Sequence, residues 1–416
     1  MNRTYESVRV LAGRAAGPLA SHLDHFVRSL IEQQYAASVV YIKARHALAF
    51  DRWLARRRIE LTALSEAHVE RYQNRTRRRH RRIRIGTRRQ ERREVTHLLR
   101  FLRAQGVSPA ARVETTAAEH MAVRFEQHLQ HQLGLSAATI ERYRMVARQF
   151  LQGRFGGGAV DLGSLRAADP IVFVKLQSQR LHPPALKCVV NALRSFLRYA
   201  QYCGEVPAAL VAAVPRVAAW STTPALPRAI SSEHAQRALD SCDLNTRAGL
   251  RDRAVLLLLA RLGLRASEIV ALKLEDCDWD RGHLRVCSKG GREQLLPIPT
   301  DVGEAIAAYL QRGRLTSPDR HLFLRSQAPI CGLTPGSDGI GTIVRSALRR
   351  AGVNAPHRGS HQFRHALAVQ MLQQGASLRE IGEVLRHQSP QTTSIYARVN
   401  IDALRTLALP WPGDVR

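Results

Sequence analysis

Apolar residues return every three or four positions along most of the first two hundred residues, the spacing of one face of an α-helix. The stretches SVVYIKARHALAFDRWL (38–54), LTALSEAHVERY (61–72) and EVTHLLRFLRAQGV (94–107) carry this period. So do SAATIERYRMVARQFL (136–151), LGSLRAADPIVFVKL (162–176) and KCVVNALRSFLRYAQYCGEV (187–206). The two sets form a near-repeat: Trp53-Leu54 answers Phe150-Leu151, Leu61 and Leu64 answer Leu162 and Leu165, and Phe101-Leu102 answers Phe196-Leu197. Each set predicts a bundle of about four helices, the first over 1–110 and the second over 115–206.

The pattern changes after residue 206. Pro207, Pro215, Pro224 and Pro227 stand among alanine, serine and threonine, a composition that predicts an extended linker over 207–230. Helical spacing resumes at Ser231 or Ser232, either of them a suitable N-cap, and a third region runs from 231 to 416. Within it, HLRVCSKGGREQLLPI (283–298) alternates on both sides of Lys289-Gly290-Gly291, which predicts a β-hairpin. The expected fold class is mainly α with a small antiparallel β-sheet in the C-terminal domain, preceded by N-terminal helical bundles.

No stretch asks for a membrane. The most apolar run, AVLLLLARLGL (254–264), is too short to span and contains Arg261. Arg14, His22, Asp24 and His25 interrupt any apolar core that a signal peptide would need. The six cysteines, at 188, 203, 242, 277, 287 and 331, are scattered without metal-ligand spacing and read as small buried apolar residues in a reducing cytoplasm.

Charge adds a partner. Lys+Arg number 63 against 34 Asp+Glu, a formal net charge of +29, which favours a polyanion and, first among polyanions, nucleic acid. The segment NRTRRRHRRIRIGTRRQERR (74–93) holds eleven of the arginines. Runs of one sign are commonly solvated loops, but this density predicts phosphate contacts from Arg77, Arg78, Arg79, Arg81 and Arg82. Each neutralised phosphate releases a condensed counterion, and a guanidinium grips phosphate in a fork. Such a loop raises affinity without reading bases.

The chemistry concentrates in the last 150 residues or so, in the order Arg265, Lys289, His361, Arg364, His387, Tyr396. GLRASEIVALKLEDCDW (263–279) sets Arg265 just after a buried helix, with Glu268 one turn on. SHQFRHALAVQMLQQG (360–375) brings His361, Arg364 and His365 to one face of a helix. LRHQSPQTTSIYARV (385–399) supplies His387 and, nine residues later, Tyr396. Two arginines can neutralise the charge that gathers on a phosphodiester's equatorial oxygens. A tyrosine, with an ordinary pKa of about 10, can attack phosphorus near neutral pH given a base and a cationic site. His361 is the candidate base, Lys289 the candidate acid for the departing 5′ oxygen, and His387 a donor to a phosphoryl oxygen. Glu268 would orient neighbouring donors. Singly, each residue has an ordinary structural use; jointly, at this order and spacing, they form a site. No HExxH pattern or carboxylate cluster accompanies the histidines, so neither a metal nor another cofactor is expected.

These segments resemble the boxes of the tyrosine recombinase (phage integrase) family. Arg265 with Glu268 matches its Gly-Leu-Arg-x-x-Glu box, and His361, Arg364 and His365 match His-x-x-Arg-His. His387 precedes Tyr396 by the family's nine residues, and Lys289 falls on its hairpin lysine. The helical unit at 115–206 resembles the core-binding domain. The bundle over 1–110 exceeds the minimal plan, resembling a SAM-like DNA-binding repeat of the transposon- or island-borne integrases. Two positions depart from the pattern: Arg386 stands where glycine is usual, and Phe363 where leucine is common.

The resemblance implies a site-specific recombinase acting on double-stranded DNA through a covalent 3′-phosphotyrosine, as a homo-tetramer on paired sites, with accessory recombination proteins as further partners. It implies a cytoplasmic protein, associated with the bacterial nucleoid when on DNA. The tail VNIDALRTLALPWPGDVR (399–416) carries Ile401, Leu404 and Leu407 on one stripe, which would pack on its own domain or, as in relatives, on a neighbouring protomer. Two other functions remain open on sequence: relaxation in the manner of a type IB topoisomerase, and DNA binding without cleavage.

Overall fold

The computed structural model describes residues 4–79, 85–110, 116–217, 229–288, 292–333, 339–355 and 359–399, apart from the side chains of 75–79, 85–89, 398 and 399. The chain divides into two compact units, Met1–Ala111 with Ala225–Arg416, and Arg112–Pro224.

The N-terminal bundle comprises α1 (Tyr5–Ala12), α2 (Leu23–Glu32), α3 (Ala37–Arg57), α4 (Glu66–Arg79) and α5 (Ile85–Ala104). Its core closes on Phe26, Phe50, Leu54, Tyr72 and Leu102, all buried at the three- and four-residue spacing of their helices. The rings of Phe50 and Trp53 stack at 5.7 Å, and Tyr72 meets each edge-on. Asp51, fully buried, accepts hydrogen bonds from the main-chain N–H groups of Gly17 and Leu19 and so fixes the α1–α2 turn.

The second unit comprises α6 (Ala117–Gln132), α7 (Ala137–Phe155), α8 (Ala168–Ser178), α9 (Pro183–Tyr202) and α10 (Ala208–Ala212). The near-repeat reappears as geometry. Leu61–Ala63 and Leu162–Ser164 are matching 3₁₀ turns, one following α3 and the other α7, and Leu61, Leu64, Leu162 and Leu165 are all buried.

Three expectations need correction. Of the cysteines expected to be buried, Cys242 and Cys277 are, but Cys188, Cys203 and Cys287 are exposed and Cys331 is half-buried, since a small side chain fits a helix surface or strand edge as readily as a core. The arginine-rich stretch 74–93 is mostly helix, because α4 runs on to Arg79 and α5 begins at Ile85. Arginine is a good helix former, and no glycine or proline stands between Glu66 and Arg79 to stop α4. The phosphate contacts expected of Arg77, Arg78, Arg79, Arg81 and Arg82 lie outside the described residues. The extended linker does not begin at 207 either. Pro207 caps α10, and Leu210 and Val214 bury themselves in the core of the second unit.

The C-terminal region is built on α11 (Ser232–Asp240), α12 (Arg247–Arg261) and α13 (Ala266–Ala271). Ser231 is the N-cap of α11, its hydroxyl accepting from the His234 N–H. Helix α12 is buried on all sides from Val255 to Leu259, each leucine contributing about 1.5–3 kcal/mol by leaving water. A three-stranded antiparallel sheet follows, in the order β1 (Cys277–Asp278), β2 (His283–Cys287), β3 (Glu293–Pro297). Leu284 pairs with Leu296 and Val286 with Gln294, and both Leu284 and Val286 point into the core. The first strand was not foreseen; two residues are too few to show alternation. Helices α14 (Thr300–Ala308), α15 (Gly339–Arg350), α16 (His361–Gln373), α17 (Leu378–Val384) and α18 (Pro390–Thr393) complete the region, and a 3₁₀ helix, Ser394–Val399, ends the described chain. The molecule is therefore mostly helical with one small antiparallel sheet. No helix among the described residues is long and apolar enough to cross a membrane.

Candidate active site

Three short segments far apart in sequence meet at the site: the turn 262–265 after α12, the first turns of α16, and 384–396. Gly263 makes the meeting possible. It holds φ +56°, and a Cβ there would stand 2.8 Å from a Leu385 methyl. Its carbonyl accepts from Nη1 of Arg364, whose Nη2 donates to the carbonyl of Leu385. Arg364 is 3% exposed, and burial, followed by Arg265 and Arg386, pushes its guanidinium down to about 10.

Arg265 caps α13. Its main-chain N–H donates to Oε2 of Glu268 at 2.9 Å, and its Nη1 donates to Oε1 at 2.7 Å. Glu268 is buried and serves a second arginine as well, Arg386, whose Nη2 donates to Oε2 at 3.3 Å. Residue 386 adopts φ +56°, the left-handed region that suits glycine and costs other residues roughly 1–2 kcal/mol. Its side chain does not reach outward towards a ligand. Nη1 donates to the carbonyls of Leu262 and Val384 and Nη2 to that of Gly263, which packs the guanidinium inside, 9% exposed.

Tyr396 is 1% exposed. Its hydroxyl lies 2.7 Å from Nδ1 of His365, and its ring is parallel to that of His387, 6.4 Å between centroids. Burial pushes the phenol up to about 12, with Arg364 pulling the other way. His387 is held through Nδ1 by Oγ1 of the buried Thr393 at 2.7 Å. Burial first, then Arg364 and Arg265, depress His387 to about 4; burial, Arg364 and Arg265 lower His361, and burial, His361 and Arg364 lower His365. His387 is therefore neutral at pH 7, and burial biases the other two rings towards the neutral form.

Arg265, Arg364, His365, His387 and Tyr396 thus form one cluster with Glu268. The imidazole that touches the phenol is His365; His361 lies behind it, with 6.3 Å between ring centroids. Lys289 lies outside the described residues. Ser288 and Arg292, on either side of its turn, line an open cleft of about 1050 Å³ together with Arg265, Arg379 and His387. Sequence reasoning missed the Thr393 contact, since nothing distinguished that hydroxyl from its neighbours. It gave His365 and Glu268 only supporting parts, without their partners.

A mostly helical domain with a small sheet, carrying a basic cleft beside a buried tyrosine, defines the class. The family model for the phage integrase family matches residues 228–402. A putative integrase/recombinase of Sinorhizobium fredii, y4rA, is 46% identical over 404 residues, covering 96% of each chain. Among solved structures, the site-specific recombinase XerH bound to its palindromic difH substrate is similar with TM-score 0.55 and 18% identity, covering 69% of this chain and 83% of that one. The integrase of transposon Tn1549 in complex with circular-intermediate DNA gives TM-score 0.50 and 15% identity, covering 70% and 99%. The chain belongs to the tyrosine recombinase (phage integrase) family, whose members carry out site-specific recombination by cleaving and rejoining DNA.

Proposed function

We propose that this protein is a site-specific recombinase of double-stranded DNA that works through a covalent 3′-phosphotyrosine at Tyr396, as the integrase of a mobile element. The observation that carries the reading is the joint environment of that tyrosine: hydroxyl on an imidazole, ring on a second, and the Arg364–Arg265 guanidinium pair beside them. Arg265 and Arg364 take the non-bridging oxygens of the scissile phosphate. The phenolic oxygen bonds to phosphorus as its proton passes to His365, with His361 the next imidazole in line. The bond to the 5′ oxygen breaks, and Lys289 protonates that oxygen. With Thr393 donating to Nδ1 of His387, Nε2 keeps that ring's proton and donates a hydrogen bond to a phosphoryl oxygen. Attack by the 5′ hydroxyl of the exchanged strand reverses these steps, so the bond energy is conserved and rejoining needs no nucleotide cofactor.

Cleft arginines and the arginine-rich ends of α4 and α5 bind the duplex, with one helical bundle and the C-terminal domain as separate DNA-binding bodies. Four protomers on two paired sites complete the reaction, the terminal segment after 399 linking neighbours, and accessory recombination proteins steer its direction. The Tn1549 likeness favours the mobile-element setting.

The test is trapping on nicked duplexes made from the sequences flanking the gene. The natural protein should form a denaturation-resistant DNA adduct and Tyr396→Phe none, with DNA binding retained. An adduct that survives the substitution removes Tyr396 from the role. Supercoil relaxation without recombinant product would point to a topoisomerase.

A further inference from the structure

We propose that Arg386 is a positioning residue for DNA cleavage, acting through Glu268 to hold Arg265, and that this use of the side chain is why a non-glycine residue occupies a left-handed backbone position. The inference rests on the reading of Arg265 as a phosphate-binding group.

Three observations carry it. The backbone at 386 would suit glycine, yet the residue is the largest cation available. Its guanidinium turns inward, where Nη1 and Nη2 bind the carbonyls of Leu262, Gly263 and Val384 and so tie the turn bearing Arg265 to the turn bearing His387. Finally, Glu268 is shared: Oε1 takes Arg265, and Oε2 takes both the Arg265 main chain and Arg386. A carboxylate held by one arginine alone could swing with it. Fixed from behind by Arg386, it offers Arg265 a single orientation, and the Arg265 Nη2 group sits 3.5 Å from the Arg386 carbonyl as a further guide.

The experiment measures adduct formation on nicked duplex at saturating DNA, alongside DNA affinity across a salt series, for Arg386→Gly, Arg386→Lys, Glu268→Gln and the Arg386→Gly/Glu268→Gln double variant. Arg386→Gly should slow cleavage roughly 10- to 100-fold, in the range for removing the partner of an active group. Affinity should stay within about twofold and the salt slope should not change. The double variant should be no slower than the slower single, since both remove one linked support.

An unchanged cleavage rate in Arg386→Gly overturns the proposal. So does a salt slope reduced by about one, which would make Arg386 a phosphate contact, and so do single effects that multiply in the double variant. Should the glycine variant not fold, Arg386→Lys decides. It keeps the charge without the fork, so a reduced rate at unchanged affinity supports the proposal and a natural rate overturns it. Absence of any adduct with the natural protein would instead defeat the functional reading itself.

Discussion

Helices α3 and α5 bury Lys43 against Glu94, one cation to one carboxylate, with Nδ1 of His97 3.1 Å from the ammonium and the ring of Tyr35 beneath it. The cluster around Arg364 sets Arg265 and Arg386 on Glu268 with Arg364 close by, three cations to one anion and so a surplus of two. Both clusters remove charge from water, which is costly, yet only the first balances it. A balanced pair needs nothing further, so it reads as architecture. The unbalanced cluster leaves room for an anion, and under the proposed function that anion is the phosphoryl group, whose charge grows in its transition state. Surplus of one sign under burial, more than burial of charge itself, separates a site from a strut.

Lys43→Met is the most severe way to test that contrast. It leaves Glu94 without its cation and should destabilise the N-terminal bundle by about 3–5 kcal/mol, seen by denaturant melting. Cleavage per folded, DNA-bound molecule should remain natural, and a matching loss of cleavage chemistry would erase the distinction. Next in size is Arg364→Lys, which keeps one charge and removes the fork. We expect adduct formation to fall about 10²- to 10³-fold, as for loss of one preorganised donor, with a smaller loss of stability, about 1–3 kcal/mol, from the buried Gly263 and Leu385 carbonyls left short of a donor. A variant that melts early but cleaves normally would make Arg364 a strut like Lys43.

Acid gives the smallest effect and sharpens the comparison, because both regions contain imidazoles with lowered pKa. His387 falls from 6.5 to about 4, and His97 and His46 of the bundle are lowered too, each chiefly by burial. The unfolded chain takes up protons that the folded one refuses. The stability that His387 contributes is therefore present in full above pH 6.5 and lost as pH falls through about 4, and the two bundle rings act in the same direction. Melting temperature should decline over that interval, and His387→Asn should flatten the decline. A slope indifferent to His387→Asn would assign the acid loss to the bundle.

Much of this was legible in the residues alone. Periodicity marked the helices of both bundles, and alternation around Lys289 marked the β2–β3 hairpin, because these patterns record which side of an element leaves water. The order and spacing of Arg265, His361, Arg364, His387 and Tyr396 pointed to the family, since covalent spacing survives in sequence. The extent of α4 and α5 was missed because a single-sign charge run looks the same as helix or loop.

Only tertiary structure decided who touches whom. The contacts of Arg364 with Gly263 and of Arg386 with Glu268 span 101 and 118 positions, and no local pattern encodes a bond across such a gap. Whether the arginine before His387 faced a phosphate or turned inward depended on a left-handed backbone and on carbonyls from another turn. Whether His365 or His361 met the phenol depended on how α16 rolls against the segment bearing Tyr396. Sequence sets which groups are available and which faces are buried, but direction across a gap is fixed by packing, where burial leaves a polar group one economical place to bond.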